Sequence, residues 1–249
     1  MAMVSAAVAA SEEVSMRLSM VRSYGNSAGA VERRYGLFMH IAVLMFALMT
    51  AITPASAQGQ KPIKLVVLGD SLSAGLGLPA QDAFPQKLQK ALQAKGIAVD
   101  MVNAGVSADT SSGGRDRLDW SVPEGTEAVI VELGANDALR GIDPDLTRAA
   151  LSDIIQRLKA RKIAVLLCGM LAPPNYGADY AARFNSIYPE LAKKFDVPLY
   201  PFFLDAVAAD AKLNQADGIH PTAAGVDIIV ERMMPTVEAF LGTIAEQRR

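Results

Sequence analysis

Cysteine is almost missing from this chain: Cys168 stands alone in 249 residues, so no intramolecular disulfide can staple the fold. Histidine is nearly as scarce. Only His40 and His220 occur, too few imidazole and thiolate groups for a typical zinc site. No block of lysine and arginine stands out, and 24 basic residues against 26 acidic ones leave a net charge of -2. That balance excludes a phosphate-backbone footprint and a partner chosen by bulk charge. Neither G-x-x-x-x-G-K-[ST] nor G-x-G-x-x-G occurs, which counts against a nucleotide site. No apolar run reaches the roughly 20 residues of a membrane-spanning helix. Internal repeats and low-complexity linkers are also lacking.

What is there is a hydrophobic fraction of 51%, in the range of an ordinary globular protein. The first stretch with a signature is N-terminal. Arg33 and Arg34 supply positive charge, Ile41 to Ile52 form an apolar core, and Ala55-Ser56-Ala57 fits a small-residue cleavage site. Residues 1–57 are therefore expected to be a signal peptide with an N-terminal extension, and 58–249 a single domain in the periplasm or outside the cell. An unprocessed membrane anchor is the competing account. With His40 removed, His220 is the sole imidazole of the mature chain.

From Lys61 onward, apolar runs alternate with helical periodicity. Residues 63–68, 97–102, 127–133 and 162–168 read as strands of a parallel sheet covered on both faces, with 197–202 a weaker fifth. Between them, a helix from about Ala83 to Lys95 buries Phe84, Leu88 and Leu92 and stops at Gly96. Another, capped by Asp143 with Pro144 in its first turn, turns Leu146, Leu151, Ile154, Ile155 and Leu158 inward. A last helix after Pro221 buries Val226, Ile229, Val230 and Met233. The order predicts an α/β domain of three layers, α/β/α, on a five-stranded, mostly parallel sheet. In such sheets ligands collect beyond the carboxyl ends of the strands, where strand order reverses. The loops carrying Ser71, residues 103–114 and residues 134–141 share that edge.

A serine alcohol is a poor nucleophile until a base takes its proton, and imidazole suits that task near neutral pH. Ser71 follows the first strand in "VVLGDSLSAGLGLP". His220 lies in "ADGIHPTAAG" with Asp217 three residues before it, so that one short turn carries base and orienting carboxylate. Ser71, His220 and Asp217 are the candidate triad. Taken singly, each has a plainer reading: Ser71 as a cap, Asp217 and His220 as surface capping, the Gly-Asp-Ser turn as an anion-binding loop. The stretch around Ser71 lacks G-x-S-x-G, so it is not a standard nucleophile elbow. Cys168 reads as core packing in a strand.

"GDSLS", "GAND" and "DGIH", with "LVELGANDALRG", "PPNYG" and "IYPELAKKFDVPLYPFF", resemble the SGNH or GDSL hydrolases. The likeness is to the branch of periplasmic acyl-CoA thioesterase I/lysophospholipase-like enzymes, also called arylesterases, and covers roughly residues 62–240. The resemblance implies a flavodoxin-like SGNH hydrolase fold and a cofactor-free, metal-free Ser-His-Asp mechanism through an acyl-enzyme. Ser71 would be the nucleophile, His220 the base and Asp217 its partner. The oxyanion hole would be formed by the Ser71 N–H, the Asn136 side-chain amide and the backbone N–H at Ala108. Asp70 and Asp137 would organise their loops through hydrogen bonds. One position departs from the pattern: the family's second block reads S-G-D-T, whereas this chain reads "SADT". Alanine retains the N–H, but at a positive φ it carries a conformational cost of order a kcal/mol. Gly105, three residues earlier, is the weaker substitute.

Leu72, Leu76, Leu78 and Pro79, with Met170, Leu171, Pro173, Pro174 and Tyr176, are the expected lining, suited to an acyl or aryl group of a small-molecule ester or thioester. Aryl esters, acyl thioesters and lysophospholipids all fit. A carbohydrate O-deacetylase on the same scaffold and a non-catalytic α/β binding module are the alternatives. No nucleic-acid partner and no stable membrane span after processing are expected.

Overall fold

Strand β1, Ile63–Gly69, is buried at every position except Lys64, as an inner strand of a covered sheet must be. The computed structural model describes residues 61–249. The segment read as a signal peptide, including His40, lies outside the described residues. β1 is followed by α1 (Ser71–Ala74), α2 (Phe84–Ala94), β2 (Val99–Gly105), α3 (Ser111–Asp116), α4 (Leu118–Ser121) and β3 (Ala128–Glu132). Then come α5 (Ala135–Leu139), α6 (Pro144–Ala160), β4 (Ala164–Cys168), α7 (Gly177–Asn185), α8 (Ile187–Phe195), β5 (Leu199–Tyr200) and α9 (Ala223–Gln247).

The sheet order is β2-β1-β3-β4-β5, and every neighbouring pair is parallel. The crossover from β1 to β2 runs one way along the sheet and those from β3 to β5 run the other. Right-handed connections therefore place α2 and its neighbour α9 on one face and α6 and α8 on the opposite face. The reversal falls between β1 and β3. Their carboxyl ends splay the following loops apart there, and Ser71 and Asn136 come from those two loops.

Three sequence expectations shift. β2 begins at Val99, because Ile97 is spent on ending α2: Gly96 takes φ 77°, its N–H reaches Gln93 O, and the Ile97 N–H reaches Leu92 O, a Schellman closure. As an edge strand β2 is also only half-buried rather than covered on both faces. β5 shrinks to Leu199–Tyr200, and the chain beyond it becomes a run of turns. Leu146 points outward and is 60% exposed. The inward position of that turn belongs to Thr147, whose hydroxyl donates to Asp137 Oδ1 at 2.9 Å, while Leu151, Ile154, Ile155 and Leu158 are fully buried as expected.

The cap at Asp143 accepts from the Asp145 N–H, a contact worth about 1 kcal/mol. Cys168 is fully buried, and its thiol is pushed well above the usual range by burial first and by Glu132 second, as befits a packing residue.

Candidate active site

The turn after β1 is built around Asp70. Its carboxylate is completely buried, and Oδ1 accepts the Leu72 N–H at 2.9 Å, capping α1. Ser71 is thereby the first residue of that helix, where an N–H has no intrahelical acceptor and stays available to a ligand. Glycine is required just before it. A Cβ on Gly69 would stand 2.3 Å from Ser73 Oγ and 2.5 Å from Glu132 Oε2.

His220 reaches Ser71 from the far end of the chain. The Asp217 side chain shapes the turn that carries it: Oδ1 accepts the N–H groups of Ile219 at 2.9 Å and His220 at 3.0 Å. Oδ2 faces His220 Nδ1 at 2.6 Å, and His220 Nε2 lies 2.8 Å from Ser71 Oγ. A carboxylate only accepts, so Nδ1 carries the proton and Nε2 is free to accept from the serine hydroxyl. The backbone donor of His220, its ring and the Ile219 N–H together hold the Asp217 carboxyl well below the usual range. Gln215 ties this turn to the serine loop, donating to Leu76 O at 2.8 Å and to Pro221 O at 2.9 Å. Gly77, at φ 78°, makes room, since a Cβ there would meet Gln215 Oε1 at 2.2 Å.

Asn136 stands on α5, across the reversal point. Its Nδ2 donates one hydrogen to Asp70 Oδ2 at 3.0 Å, and an amide carries a second. Gly134, at φ 114°, starts this helix against Tyr188, whose hydroxyl donates to Leu133 O at 3.0 Å. Asp137 is buried and accepts from the Ser111 N–H at 2.8 Å and the Ser111 hydroxyl at 2.5 Å, the loop-organising work expected of it. Ser71, Asn136 and His220 open on one cavity of about 490 Å³, lined further by Leu72, Met170, Leu171, Pro173, Phe202 and Ile219. A larger open groove, about 940 Å³, lies at the opposite end of the sheet between the starts of β4 and β5 and the second half of α9, away from all of these groups.

A family model described as GDSL-like Lipase/Acylhydrolase matches residues 67–228, more than half of the chain. The chain belongs to this GDSL family. Over 178 residues it is 40% identical to esterase TesA of Pseudomonas aeruginosa, covering 71% of this chain and 89% of that one. It is likewise 40% identical to the Escherichia coli protein named thioesterase 1/protease 1/lysophospholipase L1, covering 81% of this chain and 93% of its relative. Among solved structures, AlinE4, an SGNH-hydrolase family esterase, superposes with a TM-score of 0.62 at 46% identity, covering 72% and 96% of the two chains. The α/β sheet described above is the fold these hydrolases share.

Set against the sequence reading, the lining of the GDSL cavity differs in part. Leu76, Leu78, Pro79, Pro174 and Tyr176 stand outside it. Tyr176 instead donates to Leu139 O at 2.8 Å and begins a ladder of rings through Tyr180, Phe184 and Tyr188 that buttresses α5. Their places are taken by Phe202, Leu204, Ala208 and Ala209. The shortening of β5 frees that segment to fold over the site.

Two buried groups gave no sequence signal. Glu132 falls near the end of the strand read at 127–133, and it sits fully buried beside Ser73 and Asp70. There its Oε2 accepts from Ser73 Oγ at 2.5 Å and the Asp70 N–H at 3.3 Å, while Oε1 has no partner among the described residues. Burial and the adjacent Asp70 push its carboxyl well above the usual range. Burial likewise pushes Asp70 up to about 6, against the pull of its two donors. Arg117, which the sequence reading did not single out, is also buried: it donates to Asp109 at 2.6 Å, Ala104 O at 2.7 Å and Gly69 O at 2.8 Å. It thereby fastens the ends of β1 and β2 to the loop that follows β2.

That loop holds Ala108, which is exposed and stands outside the cavity lining, with φ 66°. The left-handed conformation that would strain an alanine is the one adopted. The alternative donor, Gly105, has its N–H committed to Asn103 Oδ1 at 2.9 Å, and its missing Cβ admits the Ala74 N–H. Among the described residues no three His, Cys, Asp or Glu side chains gather as a metal site, and no helix is long and apolar enough to cross a membrane.

Proposed function

We propose that this GDSL serine ester hydrolase works through Ser71, His220 and Asp217, and that it cleaves esters and thioesters of apolar acyl groups. The Oγ–Nε2 and Nδ1–Oδ2 contacts of 2.8 and 2.6 Å, beside an apolar cavity, are the observation that carries this reading. Ser71 Oγ attacks the acyl carbonyl carbon as its proton passes to His220 Nε2. Asp217 stays ionised and steadies the imidazolium. Negative charge gathering on the carbonyl oxygen is met by the Ser71 N–H, the second Nδ2 hydrogen of Asn136 and the Ala108 N–H. The intermediate collapses, and the alcohol or thiol leaves with the proton from Nε2. Water then repeats the attack on the acyl-enzyme and returns Ser71.

Asp70, by taking one Asn136 hydrogen, aims the other. Leu139, Leu171 and Ile219, each more than two-fifths exposed, make the mouth of the cavity apolar. That mouth suits an aryl ester, an acyl thioester or a lysophospholipid better than an acetylated sugar, in keeping with relatives named thioesterase 1/protease 1/lysophospholipase L1 and, from Vibrio mimicus, arylesterase. Residues 1–57 are read as an export signal that leaves the mature enzyme in the periplasm or outside the cell, and the mass of the protein recovered from expressing cells reads the cleavage near Ala57. The activity is tested with p-nitrophenyl esters of increasing chain length. Ser71→Ala is expected to abolish turnover, and turnover surviving in that variant overturns the assignment.

A further inference from the structure

The turn that carries His220 is shaped from within. Besides the two N–H groups held by Asp217, the Gln215 N–H donates to His220 O at 2.7 Å, the Gly218 N–H to Gln215 O at 2.9 Å and the Thr222 N–H to Leu213 O at 2.8 Å. Residues 216–219 are nonetheless exposed, so these bonds give the turn its form without seating it against Ser71. Lys87 fixes the chain only beyond Pro221, where α9 begins: it donates to Ala223 O at 3.0 Å and to Asp227 Oδ1 at 2.6 Å.

The Gln215 side chain supplies the seat. Only its NH₂ can serve two carbonyl acceptors, and it gives one hydrogen to Pro221 O and the other to Leu76 O. The Leu76 N–H in turn donates to Ser71 O at 3.1 Å, so two hydrogen bonds in series link the turn of the base to the backbone of the nucleophile. Among the described residues, only two hydrogen bonds join residues 70–79 directly to residues 213–222: this one and the contact between Ser71 Oγ and His220 Nε2.

The second of these is lost during turnover. Once Oγ is esterified it carries no proton, and a neutral imidazole protonated at Nδ1 offers none at Nε2. At that stage Nε2 must still take a proton from water as the water oxygen bonds to the acyl carbon, then return it to Oγ as the acyl–Oγ bond breaks. The base has to keep its place without the bond that holds it in the free enzyme.

We propose that Gln215 is a positioning residue that keeps His220 in register with Ser71 while the acyl-enzyme awaits water, so that it governs deacylation more than acylation. This rests on the reading of Ser71, His220 and Asp217 as a triad acting through an acyl-enzyme.

The test separates the two half-reactions on a p-nitrophenyl ester. Rapid mixing reads acylation as release of p-nitrophenolate, and intact mass after acid quenching reads the acyl group leaving the chain. Gln215→Met keeps the length of the side chain and loses both donors. It is expected to slow deacylation about tenfold and acylation less than about threefold, within the roughly 100-fold that a misplacement of about 1 Å can cost. A partly unfolded population would lower both amplitudes alike and leave the two rate constants unchanged, and Gln215→Glu, which keeps the shape without the donors, is read in the same way. Equal slowing of both steps, or deacylation at the wild-type rate, overturns the proposal. Ser71→Ala separates this from failure of the triad. An acyl mass gained by that variant at the wild-type rate sinks the triad reading itself. A mass gained only where Ser71 is present, and lost from Gln215→Met as fast as from wild type, sinks the role of Gln215 alone.

Discussion

Two acidic sites flank Ser71, and the same functional group behaves in opposite ways in them. Asp217 lies at the surface, its carboxylate surrounded by N–H donors that keep it ionised. Asp70 and Glu132 lie beside Ser71, buried, where burial drives both toward the protonated form. In the proposed mechanism the first must carry charge, to steady a cation during turnover. The second pair serves as mutually bonded spacers that fix Asn136, the α1 cap and Ser73. Their proximity is tolerable because they need not both ionise, the rule for two like charges in one buried site.

The largest effect should come from neutralising the exposed site. Asp217→Asn keeps the shape of the turn through its carbonyl oxygen but presents an amide to Nδ1 and favours the wrong imidazole tautomer. A fall in kcat of about 10⁴-fold is expected, with little change in melting temperature. A variant that loses stability in step with activity would show that Asp217 acts chiefly as a scaffold for its turn.

The contrast also marks where the sequence could be read. That Ser71, Asp217 and His220 come together was legible because each sits in a short local pattern, and the Asp-x-x-His spacing is itself the turn that Asp217 closes. The sheet was legible because buried parallel strands leave continuous apolar runs. Glu132 was not, since its meaning comes from Ser73 and Asp70, 59 and 62 residues away across the sheet. The same holds for Arg117 and for the segment beyond β5, where a strand-like stretch became a wall of the cavity once β5 stopped after two residues. Local periodicity carries no record of such distant partners. The Ala108 departure was visible as a residue type, and only the backbone angle shows that its strain is real.

A middling effect is expected from the buried pair. Glu132→Ala leaves the Ser73 hydroxyl and the Asp70 N–H without an acceptor and opens a void beside them, a loss of about 2–4 kcal/mol in chemical denaturation. Glu132→Gln keeps the shape of the side chain and an oxygen for both donors, so it should cost less than Glu132→Ala, the cost of its NH₂ being about 1–2 kcal/mol. If Glu132→Gln proved as damaging as Glu132→Ala, the side chain must be ionised in the folded protein, and the contrast with Asp217 would collapse.

The smallest effect is the most diagnostic, because the two sites should tilt stability in opposite directions with pH. Asp217, whose folded pKa is depressed, adds stability above the ordinary carboxylate range and loses it as the solution turns acid. Asp70, raised from 3.8 to about 6, does the reverse. Between those values the folded chain holds a proton that the unfolded chain has released, so its contribution is complete below about pH 4 and fades as pH rises through 6. The fade amounts to about 1–3 kcal/mol. Glu132, whose carboxyl is also raised, holds its proton in the folded chain after the unfolded chain has released it and so adds to this slope, a share that Glu132→Gln removes. Melting curves from pH 4 to 7 should accordingly fall more steeply for the wild type than for Glu132→Gln. Parallel curves would mean that the two carboxyls do not share their burden, and that burial acts on Asp70 alone.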